Sequence, residues 1–109
     1  MQIKFLGTGT SHGVPVIACT CKTCSSNNPK NKRTRSSIFI NVDGIDILID
    51  TSPEARLQMI DNNIKNIDLV LFTHAHADHI MGFDDIRVIN WIKKKTVPCY
   101  GNKETMDKI

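Results

Sequence analysis

Apolar residues recur at every second, or every third to fourth, position in short blocks along this chain, and each block predicts one element. Ile3-Lys4-Phe5-Leu6 is a short β-prone run that stops at Gly7-Thr8-Gly9-Thr10. Ser37-Ile38-Phe39-Ile40-Asn41-Val42 and Ile45-Asp46-Ile47-Leu48-Ile49-Asp50 flank Asp43-Gly44, a dipeptide suited to a two-residue hairpin turn. Ser52-Pro53-Glu54 then offers a capping hydroxyl, a proline preset for a first helical turn and an early acid, and Leu57, Ile60 and Ile64 follow at helical spacing. That combination predicts a helix over about 53–63. The mostly apolar run from Ile67 to Thr73 predicts a strand buried on both faces. Beyond Gly82, the residues Phe83, Ile86, Ile89 (or Val88) and Ile92 predict a second helix closed by Lys93-Lys94-Lys95, whose charges suit a helix C-terminus. Val97 to Tyr100 predicts another strand, and Asn102 is placed to cap a helix starting at Lys103.

Ser11 to Arg35 breaks this rhythm with a polar stretch holding two prolines and three cysteines. It is too long for an ordinary connection, so it is expected to be functional or stapled by metal. There is no internal repeat, low-complexity tract or flexible linker. The chain stops at Ile109 with a helix just begun and no terminating signal, so a cut domain rather than a finished one is expected.

Composition changes this picture little. With 40% hydrophobic and 23% charged residues, the chain has the make-up of one soluble domain or a piece of one. The net charge of +3 is compatible with an anionic substrate but falls short of a dedicated nucleic-acid binder. Met1-Gln2-Ile3-Lys4-Phe5-Leu6 carries no charged-then-apolar leader, and no run reaches the roughly 18 apolar residues of a membrane span. A cytoplasmic location, with reduced cysteines, is therefore expected.

The chemistry concentrates at Thr73-His74-Ala75-His76-Ala77-Asp78-His79. Alternate residues of an extended segment point the same way, so His74 and His76 can share one ion through their imidazoles. Asp78 and His79 fall in the following turn, where they can face a second ion. Four ligand-type residues in six positions would be costly as mere packing; the bland alternative is a polar surface loop. Neither half of the motif completes a shell alone, and no residue after His79 supplies an obvious remaining set, so two ions and further ligands are expected. Cys19, Cys21 and Cys24 form C-x-C-x2-C, close enough in sequence for three thiolates to converge on one structural zinc ion and staple the loop, leaving one position for a fourth ligand. His12 or Cys99 could fill it only if folding brings them near; the bland reading is free buried thiols, and a packed small hydrophobe for Cys99.

His-x-His-x-Asp-His after an apolar strand, with Ile47-Leu48-Ile49-Asp50-Thr51 upstream, resembles the metallo-β-lactamase superfamily. The segment from Gly7-Thr8-Gly9-Thr10-Ser11-His12-Gly13 to Cys24, continued by Gly82-Phe83-Asp84-Asp85-Ile86-Arg87, is similar to its phosphoribosyl cyclic phosphate phosphodiesterase branch. This resemblance implies an α/β (α+β) fold, with residues 1–109 forming one partial domain: the N-terminal half of a four-layer αββα sandwich. It further implies that His74 and His76 serve one divalent ion, zinc or manganese, and that Asp78 and His79 serve the other. A His, a bridging Asp and another His would come from later chain, as would a histidine completing the cysteine site. The implied activity is metal-assisted hydrolysis of a small cyclic phosphate ester or nucleotide, with Asp78 as the catalytic residue that orients the attacking water or takes its proton. The isolated 109 residues are expected to be inactive, and the complete protein to be a homodimer.

Asp50 is cast as a support that hydrogen-bonds the histidine loop from behind, against the plain reading of a strand-end turn residue. His12 and Arg87 are weaker candidates for substrate binding, each equally an exposed residue with no role. Lys30-Asn31-Lys32-Arg33-Thr34-Arg35 is basic enough to attract phosphate or RNA, but a solvated loop is the simpler reading. Gly7 and Gly9 lack the spacing of a dinucleotide fingerprint and fit a tight turn. Three alternatives to the small phosphodiester remain: a transfer-RNA 3′-end endonuclease of the same fold, for which no RNA-binding arm is visible; a thioester or lactam hydrolase, against which the cysteine segment speaks; and a non-catalytic zinc module.

Overall fold

The computed structural model describes every residue from Met1 to Ile109. Five strands form one mixed sheet in chain order: β1 (Gln2–Gly7), β2 (Ser37–Val42), β3 (Ile45–Ile49), β4 (Leu69–Leu71) and β5 (Cys99–Tyr100). The first three pair antiparallel, and β4 and β5 then run parallel to β3. The hairpin between β2 and β3 turns as its dipeptide demands: Asp43 and Gly44 both take positive φ, 51° and 77°, which matches the twist of the flanking strands.

Four short helices connect or follow the strands: α1 (Ala55–Asp61), α2 (Ala77–Ile80), α3 (Ile86–Lys93) and α4 (Lys103–Lys108). α1 is shorter than its predicted span at both ends. Ser52 is not its cap: the N-cap position is Glu54, which makes no side-chain cap bond, and Ser52 Oγ accepts from the Glu54 amide at 3.2 Å in the turn just before the helix. α3 is preceded by a 3₁₀ turn over Phe83–Asp85 and ends where Lys94 turns left-handed, φ 52°. The lysine run therefore leaves the helix instead of extending it, and Lys95 Nζ reaches Asp68 at 2.7 Å. Asn102 caps α4 as expected, accepting from Thr105 N at 2.8 Å.

The register aligns Phe39, Leu48 and Val70 across the centre of the sheet. These side chains are buried in one cluster with Ala55 and Met59 of α1, Ile86 of α3, and Ile67, Phe72 and Val97. The opposite face carries two apolar rows, Ile3-Ile40-Ile47-Leu69 and Phe5-Ile38-Ile49-Leu71-Tyr100, all half-buried or exposed. The strand predicted over 67–73 is thus ladder-paired only at 69–71 and buried on one face. At its N-terminal end the Asp68 carboxylate, not a main-chain carbonyl, accepts the Asp46 amide at 2.8 Å, while the Asp68 amide still donates to Asp46 O at 2.7 Å. No helix is long and apolar enough to cross a membrane.

Candidate metal centre

β3 delivers Asp50 to the edge of the sheet in the left-handed region, φ 60°, a conformation that Asp tolerates better than most residues but that surroundings must hold. Its amide donates to Leu71 O at 2.9 Å and its carbonyl accepts from Ser37 Oγ at 2.9 Å. Its buried carboxylate accepts three hydrogen bonds: Thr73 N on Oδ1 at 2.8 Å, Thr73 Oγ1 on Oδ2 at 2.6 Å and His79 Nδ1 on Oδ2 at 2.7 Å. The plain strand-end reading leaves these contacts without an explanation.

They also fix two histidine tautomers. His79 carries a proton on Nδ1 to donate to the carboxylate, so Nε2 is the nitrogen left to take a second proton or a cation. Thr73 has one hydroxyl proton, committed to Asp50, so at 2.9 Å from His74 Nδ1 it can only accept. His74 is therefore also protonated on Nδ1 and presents Nε2. One buried carboxylate orients two imidazoles, the second through Thr73, whose part nothing in the residue pattern signalled.

His76 is extended, with φ −71° and ψ 147°, and precedes α2. The turn expected to carry Asp78 and His79 is α2, a single helical turn that brings His79 back over His74. The ring centres of His74 and His79 lie 4.1 Å apart, and those of His74 and His76 lie 4.6 Å apart. The loop is seated on Thr51, which donates its amide to His79 O at 2.8 Å and accepts from Gly82 N at 3.0 Å. Gly82 permits this seat: a Cβ there would lie 2.0 Å from Ser52 O.

A cation fits this donor set. His79 Nε2 and Asp78 Oδ2 stand 3.1 Å apart, and with Nδ1 protonated both are acceptors, so only a proton or a cation reconciles them. Two ligands at about 2.1 Å from one ion are separated by roughly 3.0–3.4 Å in octahedral or tetrahedral geometry. The one set of three or more ligand-type side chains whose donor atoms all lie within 4.8 Å of one another is Cys19, Cys21 and Cys24, and no three donors of the motif come that close together.

The cysteine sulfurs are unpaired and hydrogen-bonded within their loop. Cys24 Sγ accepts from Val16 N at 3.3 Å, and Cys21 Sγ accepts from Cys24 N at 3.4 Å. The Cys24 amide, followed by the neighbouring thiols, pulls the Cys21 thiol down to about 7, toward the thiolate form that binds zinc. Neither His12 nor Cys99 joins the set. His12 is exposed, and Cys99 is half-buried in β5 against the core, where burial pushes its thiol up.

Arg87 donates to Asp84 Oδ2 at 3.0 Å on an exposed surface and forms no hydrogen bond or ion pair with the motif. The basic run is partly spent on structure. Arg33 Nη1 reaches Thr8 Oγ1 at 2.8 Å and Lys32 Nζ reaches Ser26 O at 3.0 Å. Arg35 forms a two-toothed pair with Glu54, its Nε 2.9 Å from Oε1, and also feels the charge of Asp78. The basic run thus holds one arginine whose partner lies 19 residues on.

The family described as the β-lactamase superfamily domain matches residues 46–109. A crystal structure described as a new diphosphatase from the PhnP family is 43% identical, with a TM-score of 0.93, over 97% of this chain and 43% of that one. Two curated relatives are an octanoyltransferase of Porphyromonas gingivalis, 44% identical over all of this chain and 22% of its own length, and a ribonuclease Z of Clostridioides difficile, 39% identical over 62% of this chain and 23% of its own. The chain spans less than half of the length of each.

Proposed function

The chain belongs to the β-lactamase superfamily, in its PhnP-like branch, and from that premise we propose that it supplies the first half of a two-metal site hydrolysing a small phosphodiester or diphosphate. The similarity to the PhnP-family diphosphatase, with a TM-score of 0.93, carries this reading. His74 and His76 hold one divalent ion, zinc or manganese; Asp78 and His79 hold the other. Two such ions supply Lewis-acid neutralisation of charge developing at phosphorus. Asp50 and Thr73 keep both Nε2 atoms unprotonated and aimed, and Asp78 is placed to orient a water or receive its proton. Cys19, Cys21 and Cys24 hold a structural zinc that closes the polar loop. The two apolar rows on the open face of the sheet are the surface on which a second sheet of an αββα sandwich packs, and that half brings the remaining ligands. The free thiols suit a reducing compartment such as the cytoplasm.

The ribonuclease Z relatives favour a second reading, an endonuclease acting at transfer-RNA 3′ ends. Acyl transfer has less support: the matched segment is 22% of the octanoyltransferase, and the motif's one hydroxyl, Thr73, is committed to Asp50. The test is hydrolysis by the full-length protein, later ligands included, of bis(p-nitrophenyl) phosphate and of a precursor transfer RNA, each with and without manganese. We expect metal-dependent cleavage of the small ester, abolished by His76→Ala. Cleavage of the RNA alone supports the endonuclease, and activity that survives His76→Ala contradicts both readings.

A further inference from the structure

Gln58 has no part in the proposed reaction, yet it is buried in α1 and uses both ends of its amide. Oε1 accepts from Ser52 Oγ at 2.8 Å, while Nε2 donates to Thr34 Oγ1 at 2.8 Å and to Arg35 O at 2.9 Å. Ser52 follows Thr51, the fully buried residue whose amide holds His79 O. Thr34 and Arg35 close the root of the cysteine loop, where Gly9 N donates to Thr34 O at 2.7 Å and Val14 pairs with Arg33. Three segments therefore meet at one side chain: the loop root, helix α1 and the seat beneath His79. Gly7 leaves room for the meeting, since a Cβ there would lie 2.5 Å from Gln58 Nε2 and 1.9 Å from Arg35 O.

We propose that Gln58 is a positioning residue for the histidine site, locking Ser52, and through Thr51 the backbone of His79, to the root of the cysteine loop. The inference rests on reading His74, His76, Asp78 and His79 as metal ligands. Leucine at this position fills the same space but leaves the Ser52 hydroxyl, the Thr34 hydroxyl and the Arg35 carbonyl without their shared partner, so the seat of His79 loses its fixed height. Hydrogen-bonded supports behind metal ligands shift affinity by about 10–100-fold when removed.

The experiment is cobalt(II) binding to the full-length protein with the cysteine cluster already filled by zinc, followed through the visible d–d bands of histidine-bound cobalt. Gln58→Leu is compared with Met59→Ala, which removes core packing from the same helix and touches no hydrogen bond of this relay. We expect affinity to fall about 10-fold for Gln58→Leu and to hold for Met59→Ala, although the latter unfolds more easily. Equal cobalt affinity in wild type and Gln58→Leu overturns the proposal and leaves the metal site standing. An equal loss in Met59→Ala overturns it too, by showing that general loosening suffices. Wild type that binds no cobalt at its histidines overturns the metal-site reading and this inference with it. If Gln58→Leu does not fold, Ser52→Ala, which deletes one hydroxyl of the same relay, is read by the same criteria.

Discussion

Asp50→Asn separates the electrostatic part of the Asp50 role from its shape. The amide is isosteric, and Asn is as tolerant of φ 60° as Asp, so the backbone has no reason to move. The amide oxygen can still accept from Thr73 N, but an NH₂ then faces Thr73 Oγ1 and His79 Nδ1, where the carboxylate accepted two protons at 2.6 and 2.7 Å. Thr73 can rotate its hydroxyl and accept. His79 must then accept on Nδ1 and move its proton to Nε2, the nitrogen the metal needs. Exchanging charge-assisted bonds in a buried site for weaker or unmade ones costs about 1.5–3 kcal/mol, and the altered support is expected to weaken metal binding about 10–100-fold. Urea denaturation without metal reads the first number and cobalt or zinc titration reads the second. A variant that binds metal as wild type does, with its stability unchanged, refutes the tautomer assignment. Asp50→Ala should cost more, because alanine adds a left-handed backbone penalty of about 1–2 kcal/mol.

Gly82→Ala should destabilise by about 1–3 kcal/mol through overpacking and weaken metal binding, since its Cβ would overlap Ser52 O at 2.0 Å; unchanged melting and affinity contradict the close seat of the histidine loop. Cys21→Ser should reduce zinc content by one ion per chain and speed proteolysis within residues 11–35; unaltered zinc content removes the structural site. The Asp68 carboxyl is held down at about 2, first by its hydrogen bond from Lys95 and then by the Asp46 amide and Asn66. A lowered folded value means that this stabilisation is complete above the unfolded value of about 3.9 and disappears as pH falls from there toward 2. With a third of the side chain exposed, screening limits it to about 1 kcal/mol or less, so Asp68→Asn should trail wild type at pH 7 and match it near pH 2.

Much of the framework was legible because it is local. The β2–β3 hairpin follows from Asp43-Gly44 and the α4 cap from Asn102, whereas the core face of the sheet does not, because Ile38-Phe39-Ile40 and Ile47-Leu48-Ile49 are apolar toward both faces. The ligand-type residues stood out because four of them crowd six positions. What stayed hidden is non-local or too short to be periodic. α2 is a single turn, so no repeat announces it. Arg35 and Glu54 are 19 residues apart and Gln58 and Thr34 24, and each partnership exists only once the sheet and α1 are assembled; Asp50 is legible as a support of the histidine loop, but Thr73, 23 residues on, is not legible as its partner. Arg87 shows the converse, since a neighbouring acid at i−3 satisfies it locally.

Anomalous diffraction from manganese-loaded crystals of the full-length protein tests the two-metal claim most directly. We predict two peaks at the histidine motif, one coordinated by His74 and His76 and one by Asp78 and His79, with His74 and His79 binding through Nε2. Peaks confined to the cysteine cluster, or coordination through the Nδ1 atoms that face Asp50 and Thr73, would contradict it.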